Sequence, residues 1–136
     1  MKFEDLELAF EFVSAAGQYE HFAYVSKSTG TTYWQSDAAG LDDLPEDLNA
    51  SDDYVEIPHK NDLNLGKDLI FRFVAQEIPG LHEKVRRIFS RRGAYGRYKD
   101  FLADLGLLDT WYRFEAEQTK EALLTWCRDY DIQIEE

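Results

Sequence analysis

The period of the apolar residues changes once along this chain, and that change constrains the fold more than any motif does. From Asp62 onward, large apolar side chains recur every three or four residues. Leu65, Leu69, Ile70, Phe73, Val74 and Ile78 form one wide stripe. Leu81, Val85, Ile88 and Phe89 form a second, and Tyr95, Tyr98, Phe101, Leu102 and Leu105 a third. Trp111, Phe114, Ala122, Leu123, Trp126 and Cys127 fit one long helix or two short ones. Such spacing lets a helix bury one face and leave the other in water. The breaks fall at Pro79-Gly80, near Gly93 and at Gly106, residue types that stop helices. Before Pro58 the pattern differs. EHFAYVS and TTYWQS, rich in β-branched and aromatic residues, flank the turn tract Lys27-Ser28-Thr29-Gly30 and read as a hairpin. Strands kept to one half and helices to the other predict an α+β fold.

A helix precedes the hairpin. Phe3, Leu6, Phe10 and Val13 share one stripe, and Glu4, Asp5 and Glu7 lie in the first turns, where the helix dipole favours carboxylates. Gly17 stands where a left-handed cap would end it. In the hairpin, Phe22 and Tyr24 share a face and pair with Tyr33 or Trp34, depending on register. After it, residues 37–53 hold Asp37, Asp42, Asp43, Glu46, Asp47, Asp52 and Asp53, a predicted acidic loop with a short helical turn around Leu44 to Leu48. YVEI gives a brief third strand, closed by Pro58, which has no N–H for a ladder. The expected architecture is an N-terminal helix, a small three-stranded antiparallel sheet, and a C-terminal helical half of about four helices.

The 136 residues suit one domain, 1–136, and 44% hydrophobic with 15% aromatic content supplies its core. No apolar run approaches the ~20 residues of a membrane span, and no signal peptide opens the chain, so a soluble cytoplasmic protein is expected. The lone Cys127 excludes an intramolecular disulfide and any multi-cysteine zinc site.

Charge is the most distinctive functional signal. Acidic residues outnumber basic ones 27 to 15, a formal net charge of −12. Yet Lys84, Arg86, Arg87, Arg91, Arg92, Arg97 and Lys99 crowd one segment, interleaved with Phe89, Tyr95 and Tyr98. Arginine forks bind carboxylate or phosphate through paired, charge-assisted bonds, and aromatic faces among them also suit exposed bases. The plainer account is a solvated basic face, neutralised in part by the acidic loop, with the aromatic rings in the core. The net charge repels nucleic acid at long range. Among the other aromatic residues, Trp34 and Tyr112 are the candidates for exposure.

Other chemistry is thin. The acidic loop lacks the alternate ligand positions and central glycine of a calcium loop. His21, His59 and His82 show no zinc-ligand spacing, and His59 stands as a near-neighbour His–carboxylate pair with Asp62. Asn61 or Asp62 is equally suited to capping the next helix. Cys127, on an apolar face, reads as a small buried hydrophobe despite Arg128 beside it. No nucleophile elbow, phosphate-binding loop or dinucleotide fingerprint is present. A protein that is not an enzyme and carries no cofactor or metal is therefore expected.

The order of several ordinary segments is itself informative. RRGAYGRYKDFL, followed by WYRFE and ALLTWCRDYDI, with Thr29-Gly30 in the hairpin and Ile57-Pro58 before the helical half, resembles uncharacterised protein family 0158. The likeness runs from about Glu20 to Ile134. It implies one small bacterial domain and transfers no catalytic residue, but its signature falls on the basic–aromatic segment. The reading that follows is a non-enzymatic protein-interaction module, in the manner of an inhibitor or immunity protein. Its candidate residues are Arg86, Arg87, Arg91, Arg92, Tyr95, Arg97, Tyr98 and Lys99, or else the acidic loop. The alternative is binding of nucleic acid or a phosphate ligand through the same segment, 84–99.

Overall fold

The computed structural model describes residues 1–135 and has the α+β architecture expected of the pattern. It contains two compact units, Met1–Leu63 with Ala122–Glu136, and Asn64–Glu121.

In the first unit, α1 (Phe3–Ser14) buries Leu6, Ala9, Phe10 and Val13 and packs on strand β1 (His21–Ser26). Gly17 does not end this helix in the left-handed region. That conformation falls on Tyr19, at φ 68°, while the Gly17 N–H donates to the Glu20 carboxylate at 2.7 Å. The Glu20 side chain closes the turn and leaves the glycine in an ordinary conformation.

The sheet has four antiparallel strands where three were expected, in the order β3-β2-β1-β4. Strand β2 (Thr32–Ser36) pairs with β1 so that Tyr24 faces Tyr33 and Ala23 faces Trp34. Strand β4 (Tyr54–Glu56) takes the other edge of β1. The unexpected strand is β3 (Leu41–Asp42), two residues inside the acidic loop, set against Ser36 and Gln35. Its sequence has no strand signature, because the edge of β2 dictates the pairing. Around it the acidic loop is tied down by its own carboxylates. Asp43 accepts the Trp34 N–H at 2.6 Å, and Asp47 accepts the Tyr54 hydroxyl at 2.9 Å. Asp53 accepts the Ser26 hydroxyl, the Ser28 N–H at 2.9 Å and the Ser28 hydroxyl at 2.9 Å. Residues 45–50 form successive turns rather than a helix.

In the second unit, α2 (Lys67–Glu77) stops ahead of Pro79-Gly80, which opens a 3-10 turn into α3 (His82–Ile88). α3 is shorter than its stripe suggested, and residues 89–93 turn the chain into α4 (Ala94–Asp104). Gly106, at φ 72°, ends α4 in a Schellman motif. Its N–H bonds the Ala103 carbonyl at 3.0 Å, and the Leu107 N–H bonds Leu102 at 2.8 Å. The last stripe is one helix, α5 (Leu108–Asp129), which runs through Glu121 in this unit and from Ala122 in the first. Phe73, Tyr98 and Trp111 are fully or almost fully buried against one another, with Phe73–Trp111 and Tyr98–Trp111 edge-to-face at 5.3 and 5.2 Å. Rings packed this way bury large areas, roughly 1.5–3 kcal/mol each. No helix among the described residues is long and apolar enough to cross a membrane.

Candidate binding surface

The basic segment spans α3, the turn at 89–93 and the start of α4, so one short stretch of backbone displays all its cations. An apolar residue at every third or fourth position turns Val85 inward and leaves Lys84, Arg86 and Arg87 outside. Gly93, at φ 71°, makes the turn that starts α4.

The side chains have separate tasks. Arg86 pairs with Glu83 at 3.2 Å one turn back, an exposed pair worth a few tenths of a kcal/mol at most. Arg97 reaches back to donate to the carbonyls of Arg92 and of Ile88, the latter at 3.1 Å, and so caps the end of α3. Lys84 lies over the Phe101 ring at 5.2 Å. Arg87, Arg91 and Arg92 are exposed, and their guanidinium groups have no hydrogen-bond or ion-pair partner among the described residues.

The expected aromatic half of the surface is largely absent. Tyr98 is 0% exposed, its ring in the core against Phe89 and Trp111, and burial pushes its hydroxyl well above the ordinary range. Its position on the inner stripe of α4 removes it from the candidate residues. Tyr95 is exposed, but its ring lies under Lys99 at 4.8 Å and its hydroxyl donates to Glu115 at 2.8 Å. Burial first, then the Glu115 bond, push its ionisation up to about 12. Tyr98 thus offers no face to a stacked base, and Lys99 already occupies one side of the Tyr95 ring.

What remains is electrostatic. Lys84, Arg87, Ile88, Ser90, Arg91 and Arg97 line an open, shallow cleft of about 430 Å³ with no carboxylate in its lining. Ser90 was not singled out in the sequence, although its place between Arg87 and Arg91 was a usable signal. Charge separates more widely still. The unit Asn64–Glu121 holds 11 of the 15 basic and 9 of the 27 acidic residues, a net +2, leaving −14 on the rest of the chain.

The other candidates resolve into structure. His59 is 5% exposed. Its Nε2 faces the Ala16 carbonyl at 2.8 Å and its Nδ1 accepts the Asn61 N–H at 3.0 Å, which defines the Nε2–H tautomer. Asp62 returns the bond by accepting the His59 N–H at 3.0 Å, a reciprocal cap on the 3-10 turn Lys60–Leu63. Cys127 is buried, and desolvation pushes its thiol up to about 11. Tyr112 is exposed, whereas Trp34 is half-buried against Phe12. Among the described residues, no three His, Cys, Asp or Glu side chains gather as a metal site.

Comparison with known proteins places these features in a family. No curated protein and no solved structure matches the chain. One family model does, described as an uncharacterised protein family and covering residues 8–135, the sheet, the tied acidic loop and the whole basic segment. A match over nearly the full length settles the relationship: the chain belongs to family UPF0158.

Proposed function

We propose that this protein is a non-enzymatic binding module that docks an acidic segment of a partner protein on the α3–α4 cleft. The observation that carries this reading is the set of unpaired guanidinium groups, Arg87, Arg91 and Arg92, beside a cleft without carboxylates. The cleft is open and shallow, which suits the flat surface of a large partner better than an enclosed small molecule. Carboxylates arriving there would meet forked donors at a place where the protein's own charge is positive. Nucleic acid is the weaker reading, because Tyr98 is buried and Lys99 lies over the Tyr95 ring, which weakens the stacking platform. The overall charge of −12 adds long-range repulsion.

The test is capture from the cell lysate with tagged wild type and with Arg87→Glu/Arg91→Glu, each with and without nuclease. The expected result is one protein recovered stoichiometrically, unaffected by nuclease and lost in the variant, whose circular dichroism is unchanged because both positions are exposed. Recovery of nucleic acid by wild type alone, released by nuclease, would transfer the site to the second reading. Equal recovery by both proteins would remove the cleft from either.

A further inference from the structure

Ser90 stands inside the cleft, and its surroundings determine what chemistry it can undergo. It is exposed in the turn after α3, and it lines the same open space as Lys84, Arg87, Arg91 and Arg97. Its hydroxyl donates to the Arg87 carbonyl at 2.6 Å, and its backbone N–H reaches that carbonyl at 3.2 Å. Replacing the hydroxyl proton therefore leaves the carbonyl with a donor. The guanidinium groups of Arg87 and Arg91 have no partner among the described residues. A phosphoryl group on Ser90 would bring three acceptor oxygens and about −1.5 to −2 charges at neutral pH, the complement of two forked donors.

A phosphate at the end of a helix ordinarily meets the negative pole of the dipole. Here the opposing field is weak. α3 has only seven residues, and Arg97 already covers the Ile88 carbonyl at its last turn. Arg86 and Arg87 precede Ser90 by four and three residues, a charge pattern that a kinase preferring basic residues before its acceptor can read.

We propose that Ser90 is a phosphorylation site and that Arg87 and Arg91 hold its phosphate, turning the cleft from a docking surface into an internally neutralised one. In the transfer, Ser90 Oγ bonds to the γ-phosphorus of ATP as the β–γ anhydride breaks. ADP leaves, and the hydroxyl proton passes to the kinase's carboxylate base. The consequence for partner release rests on the binding reading above, whereas the modification and its pairing do not.

The experiment needs no partner. The full-length chain is treated with ATP and a purified serine kinase that prefers upstream arginines, and the phosphate is mapped by mass spectrometry. Ser90→Ala is the control. Protein carrying phosphoserine at position 90, made by codon suppression, is titrated by phosphorus NMR. The expected result is incorporation at Ser90 of the folded chain, and a second ionisation about one unit or more below the ordinary ~6 of phosphoserine. That shift should return toward ~6 in Arg87→Gln/Arg91→Gln. Failure to modify the folded chain, when a peptide of residues 84–92 is modified, overturns the site. An unshifted titration overturns the pairing. A partner lost in Arg87→Glu/Arg91→Glu but indifferent to phosphate overturns only the switch, so this inference and the binding reading fail separately.

Discussion

Both ring nitrogens of His59 are occupied inside the fold, one by the Ala16 carbonyl and one by the Asn61 N–H, so this histidine acts as a bracket between distant parts of the chain. His59→Ala leaves both backbone groups without that partner in a buried place, and an unfolding titration in urea should show a loss of about 1–3 kcal/mol. Spacing in the sequence exposed the His59–Asp62 pair but not its meaning, because the Ala16 carbonyl that receives the ring is 43 residues away. Asp53 shows the same kind of limit, its partners Ser26 and Ser28 lying 27 and 25 residues back along the chain. The Ser26 bond first, then those from Ser28, hold the Asp53 carboxyl below its ordinary 3.8. The folded chain therefore binds that proton less readily than the unfolded chain does. The resulting stability is complete above the unfolded value and is lost as pH falls through the folded one. Asp53→Asn should be clearly less stable than wild type at about pH 6, and the gap should narrow by about pH 3 when both are unfolded chemically.

Elements with repeating patterns were legible to within a turn, and elements imposed by a neighbour were not. α2 and α4 end where Pro79 and Gly106 require, since backbone chemistry is local. β3 is different: Leu41 and Asp42 are strand only because β2 presents unpaired backbone groups beside them. α3 fell between these cases. Its apolar stripe continues to Phe89, yet the helix stops at Ile88, where the Arg97 guanidinium covers the end. Arg97 thus belongs to the candidate surface by charge and to the turn by function. Arg97→Met, which keeps the aliphatic length but loses the donors, should destabilise the chain by about 1 kcal/mol in chemical denaturation. Arg87→Met and Arg91→Met should leave stability within about 0.5 kcal/mol while weakening partner binding. An Arg97 variant as stable as wild type would contradict the capping role.

Over the whole chain, a charge near balance in one unit and strongly negative in the other makes added salt act in two directions. Repulsion among the 18 carboxylates outside Asn64–Glu121 is screened as ionic strength rises, so thermal unfolding should move up by a few degrees, about 1 kcal/mol, between low and physiological salt. Capture of an acidic partner by the arginine cleft should weaken over the same range. A melting temperature that falls with salt would mean that favourable ion pairs, not repulsion, dominate the folded state. The excess of carboxylates was plain from composition, but its division between units was not, because the boundaries depend on which residues cluster in space. The tryptophans divide along the same line. Trp34 and Trp126 lie in the first unit, while Trp111 is the lone indole of the second, 1% exposed and packed among Phe73, Tyr98 and Phe114. An indole held away from water emits at short wavelength. In a Trp34→Phe/Trp126→Phe background, the blue fluorescence of Trp111 becomes an optical gauge of the unit that carries the arginines.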